Sequence, residues 1–304
     1  MTVTSRPYRD DDDLQRIIEL VTAATAADIE RSVFHVGDML WGRYQNTVYD
    51  PRERIQLWER DDELVGFAWS YQPPALYSFQ THPRSWDQGV IEPQMLVWAE
   101  QRLRDAIAGG LDKRTLSISA LTKDRVWIEL LTAQGYVHTD EGSMLVMRQP
   151  LPTAQPITPL PDGFTVRAVG DEREWQARVD LHREVWHPSK VTLEAYQRLR
   201  TVAGYRSELD LVVAAPDGTL AAYCICWLDP VNRIGEFEPV GVRAAFRGQR
   251  LGRAVMQAGL QRLYEHGAQT ATVYTYAGNP AAVALYRSTG FEVVDAVDLY
   301  RKTL

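Results

Sequence analysis

The sequence predicts an α/β (α+β) fold built as two tandem copies of one unit, each a mixed central sheet flanked by helices. Two observations carry this prediction. A proline-rich seam, Gln149-Pro150-Leu151-Pro152-Thr153-Ala154-Gln155-Pro156-Ile157-Thr158-Pro159-Leu160-Pro161-Asp162-Gly163, divides the 304 residues near the middle. Proline at that density favours an extended connector over helix or sheet. On each side of the seam the same order of elements recurs, which marks an internal repeat. The seam sets the units at 1–149 and 163–304, joined by a linker over 150–162.

The first unit opens with Arg6-Pro7-Tyr8-Arg9 and the acidic run Asp10-Asp11-Asp12-Asp13 ahead of a helix over Leu14–Ala24. Acids at that end are favourable charge at a helix N-terminus rather than a metal site. Strands follow at Ile55–Glu59 and Leu64–Tyr71, then a helix over Glu92–Ala106, a strand over Arg114–Ala120 and a helix over Asp124–Ala133 that ends at Gly135-Tyr136. The second unit repeats this. A strand spans Phe164–Ala168 and a helix spans Glu172–Val185, with Trp175, Val179 and Leu181 at helical spacing. Strands over Leu209–Ala215 and Leu220–Leu228 flank the turn Pro216-Asp217-Gly218. A strand over Ile234–Val242 leads into an amphipathic helix over Leu251–Glu265, stopped by Gly267. Thr270–Tyr276 is β-branched and aromatic, as strands are. Asn279 is a good N-cap with Pro280 at the first helical position, the helix ends near Gly290, and Phe291–Arg301 supplies the last two strands.

A hydrophobic share of 45% and a charged share of 24% are those of a soluble globular chain. No apolar run approaches the ~18 residues of a membrane span, and Met1-Thr2-Val3-Thr4-Ser5-Arg6-Pro7 lacks the apolar core of a signal peptide. The net charge of −7 argues against a general nucleic-acid binder. Cys224 and Cys226 sit two apart in an apolar strand, read as buried structural thiols suited to a reducing cytoplasm, with no neighbouring ligands to suggest a metal.

The stretch richest in chemistry is Val240-Gly241-Val242-Arg243-Ala244-Ala245-Phe246-Arg247-Gly248-Gln249-Arg250-Leu251-Gly252-Arg253-Ala254. A strand ends in a short glycine-containing loop and a helix starts at once. That arrangement gathers backbone N–H groups and the positive end of a helix dipole at one spot, an anion site. Arg243, Arg247, Arg250 and Arg253 add positive charge to it in an otherwise acidic chain. Downstream comes Asn279-Pro280-Ala281-Ala282-Val283-Ala284-Leu285-Tyr286-Arg287-Ser288-Thr289-Gly290-Phe291.

In this order and separation the two stretches resemble the acetyl-CoA site of the GNAT superfamily of N-acyltransferases. The resemblance covers Phe164 to Leu304, with a degenerate version in the first half, and the tandem layout is similar to that of the mycothiol synthases. It implies two GNAT folds with splayed strands at the cofactor site, the first degenerate and the second catalytic. The family loop, Arg/Gln-x-x-Gly-x-Gly/Ala, reads here Arg247-Gly248-Gln249-Arg250-Leu251-Gly252, so Arg250 stands where a glycine is usual. The resemblance places the pyrophosphate on Arg247, Gly248, Gln249, Arg250, Leu251, Gly252 and Arg253, and the pantetheine arm along Val240 and Val242. It places Asn279 at the mouth of the splayed strands, although a helix cap is the alternative. Tyr286 matches the tyrosine that protonates the departing thiolate, as a phenol of pKa ~10 can at neutral pH.

An amine of lysine-like pKa ~10.4 must lose a proton before it attacks. Glu236 and Glu238 offer the base and, spaced by two on a strand, face one side unless a bulge intervenes. Pro239 marks a possible bulge. Exposed edge-strand charge is the alternative for both. Glu236 ranks first because it stands four residues before Val240, as does a substrate-contacting glutamate in mycothiol synthases. Trp186, His187 and Tyr196 fall in the region where the family forms its acceptor pocket, with His187 left outside the catalytic set. In the first unit Asp124 and Leu131 replace Asn279 and Tyr286, and Asp87 lies where a phosphate loop would be. This unit is therefore expected to be silent towards the cofactor and to wall part of the acceptor site.

The expected function is direct acetyl transfer from acetyl-CoA to a primary amine of a small molecule, without metal, nucleic acid or membrane. The alternatives are a mycothiol-synthase-like enzyme acetylating an amino-sugar-linked cysteine and a non-catalytic acyl-CoA-binding protein. Neither the acceptor nor the oligomeric state follows from the sequence.

Overall fold

A computed structural model describes residues 2–86, 88–154 and 158–304. The first half runs β1 (Val3–Pro7), α1 (Asp11–Ala27), α2 (Val36–Tyr44), α3 (Pro51–Arg54), β2 (Ile55–Arg60), β3 (Glu63–Gln72), β4 (Leu76–Thr81), α4 (Ile91–Ala108), β5 (Thr115–Leu121), α5 (Arg125–Ala133) and β6 (Val137–Pro150). The second runs β7 (Thr165–Ala168), α6 (Glu172–Val185), α7 (Leu193–Leu199), β8 (Asp210–Ala214), β9 (Leu220–Asp229), β10 (Ile234–Val242), α8 (Leu251–Glu265), β11 (Thr270–Tyr276), α9 (Pro280–Ser288) and β12 (Glu292–Thr303).

The described strands form one twelve-stranded sheet in the order β1-β2-β3-β4-β5-β12-β6-β11-β10-β9-β8-β7. Reading inward from either edge gives the same succession, so the internal repeat is a structural one. The two halves exchange their last strands. β12 pairs with β5, from Thr303 opposite Thr115 to Val297 opposite Leu121. β6 pairs with β11, from Pro150 opposite Thr270 to Met144 opposite Tyr276. The sheet is thus continuous across the chain.

Helices cover both faces. On one face α1, α2, α6 and α7 share a core that draws on both halves, with Leu14, Met39, Trp41 and Phe67 from the first and Val179, Tyr196, Ile225 and Trp227 from the second. On the other face each half keeps its own core. One lies under α4 and α5, around Met95, Leu103 and Ile118; the other lies under α8 and α9, around Val255, Leu260 and Phe291. The acidic run caps α1 as charge at a helix N-terminus: Asp10 accepts from Asp13 N–H, and buried Asp13 is bound by Arg6 at 2.6 Å.

The boundaries of α6, β10, α8 and β11 match the sequence expectations residue for residue. Others differ. Phe291–Arg301 was expected to give two strands, but Glu292–Thr303 forms one. No glycine, proline or asparagine breaks that stretch, and register shifts at Val293/Asp295 and Val297/Leu299 bend it instead of ending it. The helices α2, α3 and α7 and the strands β4 and β6 were not anticipated.

Candidate active site

The parallel neighbours β10 and β11 pair only at Ile234–Thr270, Gly235–Ala271 and Glu236–Thr272. Beyond Glu236 they separate. A register shift between Phe237 and Val240 against β9 turns β10 away, at the position of Pro239. A bulge of this kind adds an unpaired residue and bends its strand. The edge of β10 that faces β11 is therefore free of strand partners from Phe237 through Val242 among the described residues. Val240 and Val242 lie along it, half-buried against the second-half core.

At one end of the cleft lies the glycine–arginine loop. A short 3-10 turn, Ala244–Phe246, leads to Gly248 at φ 80° and Arg250 at φ 63° and ψ 11°. The left-handed conformation that a glycine would take is kept at position 250 by an arginine. The helix α8 starts directly after it with no side-chain cap, so its first N–H groups are open to an external acceptor. Arg247, Gly248, Gln249, Arg250 and Arg253 are exposed there. Leu251 is buried in the core by its side chain and can offer only backbone. Gly252 is buried too. A Cβ at that position would stand 3.0 Å from Val242 Cγ2 and 3.3 Å from Leu285 Cδ2, so this glycine lets α8 pack closely on β10 and α9. Arg243 does not join the group, because its Nε donates to Leu220 O and its guanidinium pairs with Glu184 at 2.8 Å.

Across the cleft, Asn279 caps α9 by accepting from Ala282 N–H. Tyr286, about two helical turns further on, is buried edge-on to Phe291 with centroids 6.2 Å apart. Burial, with the charge of nearby Glu238, raises its phenol above the ordinary value and keeps it protonated.

At the inner end of the cleft three carboxyls converge. One oxygen from each of Asp38, Glu236 and Glu238 lies within 4.8 Å of the others. The bulge that spoils strict alternation along β10 still leaves both glutamates at this point. Asp38 comes from α2 of the first half and is held there by a capping box: Gly37 N–H donates to His35 Nδ1 at 3.0 Å, and His35 N–H donates to Asp38 Oδ2 at 2.7 Å. A Cβ at Gly37 would collide with Glu236 Oε2 and the Trp227 ring, so glycine is what admits α2 so close to β10.

His35 links the two halves. Its Nε2 lies 3.2 Å from Ile234 O, and its Nδ1 lies 2.9 Å from Glu236 Oε2. A ring nitrogen facing a carbonyl oxygen must carry hydrogen, which assigns Nε2–H. The Nδ1 lone pair then accepts from Gly37 N–H and from a protonated Glu236. Burial holds His35 below its ordinary value and lifts Glu236 to about 8, in agreement with that proton placement. Glu236 has no exposed surface, and the Asp38 backbone N–H beside its carboxyl works against the rise that burial causes. Asp38 and Glu238 are also raised, by burial first and by neighbouring carboxyl charge second. Tyr71 from β3 and Tyr274 from β11 feel the same charges. Tyr71 keeps 47% of its surface exposed.

Some expected residues lie elsewhere. Tyr196 is not at the acceptor cleft. It is buried in a polar network, its hydroxyl donating to Asp210 Oδ2 at 2.7 Å beside the Arg178–Asp210 ion pair. Trp186 is half exposed and stacks on His182, while His187 is exposed. Cys224 and Cys226 are buried free thiols 3.9 Å apart. Asp87 lies outside the described residues. The contributors that sequence reasoning missed are His35, Asp38, Tyr71 and Tyr274.

The corresponding cleft of the first half is filled. β4 and β5 pair only at Leu76–Ser117 and Tyr77–Ile118, but Ser119 Oγ donates to Ser78 Oγ at 2.6 Å and Trp127 Nε1 donates to Ser119 O. Trp127 also packs edge-on against Phe79. At the start of α4, which matches α8, the Glu92 carboxyl accepts from Thr81 Oγ1 at 2.9 Å, and burial raises it above its ordinary value. The side chain of Glu92 takes the position that α8 leaves open.

A mixed sheet with one pair of parallel strands parted, an uncapped helix N-terminus at one end and a proton-holding carboxyl cluster at the other is the framework of an acyl-transfer protein. The comparisons agree. The model of the acetyltransferase (GNAT) family matches residues 173–291. The mycothiol acetyltransferase of Sanguibacter keddieii is 31% identical over 46% of this chain, which spans about half (47%) of that relative's length. That of Paenarthrobacter aurescens is 30% identical over 72% of this chain and 67% of its own. That of Nocardia farcinica is 29% identical over 96% and 94%. A solved tandem GNAT protein from the clavulanic acid biosynthesis pathway shares the fold, with TM-score 0.67 at 15% identity over 99% of this chain and 98% of its own. The chain belongs to the GNAT acetyltransferase family and has its tandem layout. No helix among the described residues is long and apolar enough to cross a membrane.

Proposed function

We propose that this protein transfers the acetyl group of acetyl-CoA directly to a primary amine of a small molecule, in the second half of the chain, with α2 of the first half closing the acceptor site. The observation that carries this reading is the parting of β10 from β11, with an uncapped α8 at one end and the Asp38–Glu236–Glu238 cluster at the other. Acetyl-CoA supplies the activated thioester. The N–H groups of residues 248–253 and the side chains of Arg247, Arg250 and Arg253 hold its pyrophosphate. The free edge of β10 at Val240 and Val242 pairs with the pantetheine arm, and Asn279 shapes the mouth of the cleft.

Glu236 receives the amine proton. A carboxyl poised near 8 sits closer to the amine than an ordinary carboxylate does, which suits a general base. His35 orients it from behind, and Glu238 and Asp38 hold the ammonium before the proton leaves. The Tyr286 hydroxyl gives its proton to the departing sulfur. Direct transfer fits the cysteines, which are buried among aliphatic side chains, with Cys226 raised well above its ordinary value by burial. The first half does not bind acetyl-CoA, because Trp127 and Glu92 occupy the equivalent positions. The buried free thiols suit a cytoplasmic setting.

A second reading, acetylation of an amino-sugar-linked cysteine, is favoured by the relatives named mycothiol acetyltransferase. An assay of CoA release over a panel of primary amines tests the first reading. Turnover supports it, and acetyl-CoA binding without turnover on any amine favours a non-catalytic acyl-CoA-binding protein.

A further inference from the structure

We propose that the acceptor is an amino acid, with its reacting amine at Glu236 and its carboxylate held by Arg148 of β6. This deepens the acetyltransferase reading and rests on it.

Arg148, Thr272 and Glu236 form one row across β6, β11 and β10: the strand registers set Arg148 opposite Thr272 and Thr272 opposite Glu236. Neighbours in register point to one face of a sheet. Here that face is covered by the connection between α1 and α2, which touches both ends of the row. His35 meets Glu236 at one end. At the other, Arg148 Nη2 donates to Ile29 O at 3.5 Å, a long contact. Tyr274, two residues along β11 from Thr272, feels the charges of Asp38, Glu236 and Glu238 and, with opposite sign, that of Arg148. The guanidinium therefore borders the same cleft as the carboxyls.

Among the described residues no carboxylate pairs with Arg148, and its Nε is buried without a hydrogen-bond partner. The side chain as a whole is half-buried, so it is not sealed from a ligand. Glu292 stands directly opposite on β12 and forms no ion pair with it. Asp295 is engaged by Thr122 Oγ1 at 2.5 Å. Lys123, the neighbouring cation, has its own partner in Glu30 at 2.7 Å. A desolvated guanidinium whose donors lack acceptors is costly, and its planar fork matches a carboxylate. Arg148 and Glu236 stand two strand spacings apart, about 10 Å between Cα atoms, and their side chains form no ion pair. An amino acid, with amine and carboxylate a few bonds apart, spans that gap. An aminoalcohol presents the same amine but leaves the guanidinium without a counter-ion.

The test compares acetyl transfer to glycine, β-alanine and 4-aminobutanoate with transfer to 2-aminoethanol, 3-aminopropanol and 4-aminobutanol, in which a hydroxymethyl group replaces each carboxylate. Acetyl-CoA binding is measured by calorimetry in parallel. At least one acid is expected to exceed its alcohol in kcat/KM by about tenfold or more, as for a desolvated charge pair. Arg148→Met, which keeps the hydrocarbon stem, is expected to bring that pair within about threefold of each other while acetyl-CoA affinity stays unchanged. Arg148→Gln, read the same way, serves if Arg148→Met does not fold. A smaller ratio at every chain length, or a preference for the acid that survives the loss of Arg148, would overturn the proposal. If acetyl-CoA binds but no amine turns over, calorimetric binding of 4-aminobutanoate that weakens in Arg148→Met supports it, and no binding at about 10 mM overturns it. Absence of acetyl-CoA binding instead removes the acetyltransferase reading itself.

Discussion

Replacing Glu236 by glutamine keeps the shape of a fully buried side chain and removes its titration. In the folded chain this carboxyl holds its proton up to about pH 8, against an ordinary value of 4.5, chiefly because it is desolvated. That difference corresponds to roughly 5 kcal/mol against the charged form. The group's folded value lies above its unfolded value, so its contribution to stability is fully present below about 4.5 and is lost as pH rises through about 8. Because Asp38 and Glu238 share the local proton, we expect on the order of 2–5 kcal/mol of the difference to show. Urea unfolding of wild type and Glu236→Gln at about pH 5 and about pH 8.5 measures it: the variant is expected to gain on wild type by that amount across the interval. At about pH 8 its turnover is expected to drop by ~10²–10⁴-fold, the typical worth of a general base. Parallel stability curves for the two proteins, or full turnover in the variant with chemistry rate-limiting, would refute the reasoning.

The remaining expectations concern the other parts of the site. Wild-type kcat/KM should climb with pH towards about 8, since only ionised Glu236 can take the amine proton; a flat profile over that range would separate the base from this residue. Tyr286→Phe keeps the ring packed on Phe291 and is expected to lower kcat by ~10²–10⁴-fold with acetyl-CoA affinity nearly unchanged, as steady-state kinetics and calorimetry will read. Arg250→Gly relieves a left-handed arginine that costs ~1–2 kcal/mol, partly offset by the ~0.5–1 kcal/mol entropy of glycine. The variant should therefore unfold at slightly higher urea yet bind acetyl-CoA more weakly, and equal affinity would show that the Arg250 side chain does not reach the phosphates. His35→Ala removes both a helix cap and the hydrogen bond to Glu236, so a loss of ~1 kcal/mol or more should accompany a shifted pH–rate profile; stability loss with an unmoved profile would make His35 purely structural.

Much of the architecture was legible because its determinants are local. The periodicity of Glu172–Val185, the loop of Arg247–Gly252 and the Asn279-Pro280 start each carry their signal within a few residues. The carboxyl pair on β10 was visible as two acids on an apolar strand. What was not legible depends on contacts between distant parts. His35 lies 201 residues from Glu236, and its partnership is set by how α2 packs across β9 and β10. The His35-Val36-Gly37-Asp38 capping box ahead of apolar Met39 and Leu40 was the one available signal for α2. The exchange of β6 and β12 leaves no mark in either strand, since a strand's sequence does not name its neighbour. Tyr196 was placed by proximity in sequence to the acceptor region, but buried Asp210 claims its hydroxyl.

The central claim is that the second half alone holds acetyl-CoA, between the α8 N-terminus and the carboxyl cluster that α2 completes. A crystal structure of the chain with acetyl-CoA tests it most directly. The account predicts one molecule per chain, its pyrophosphate on the N–H groups of residues 248–253, its pantetheine arm along Val240 and Val242, and its thioester facing Tyr286 on one side and Glu236, Glu238 and Asp38 on the other. A molecule in the first-half cleft beside Trp127 and Glu92, or two molecules per chain, would contradict it.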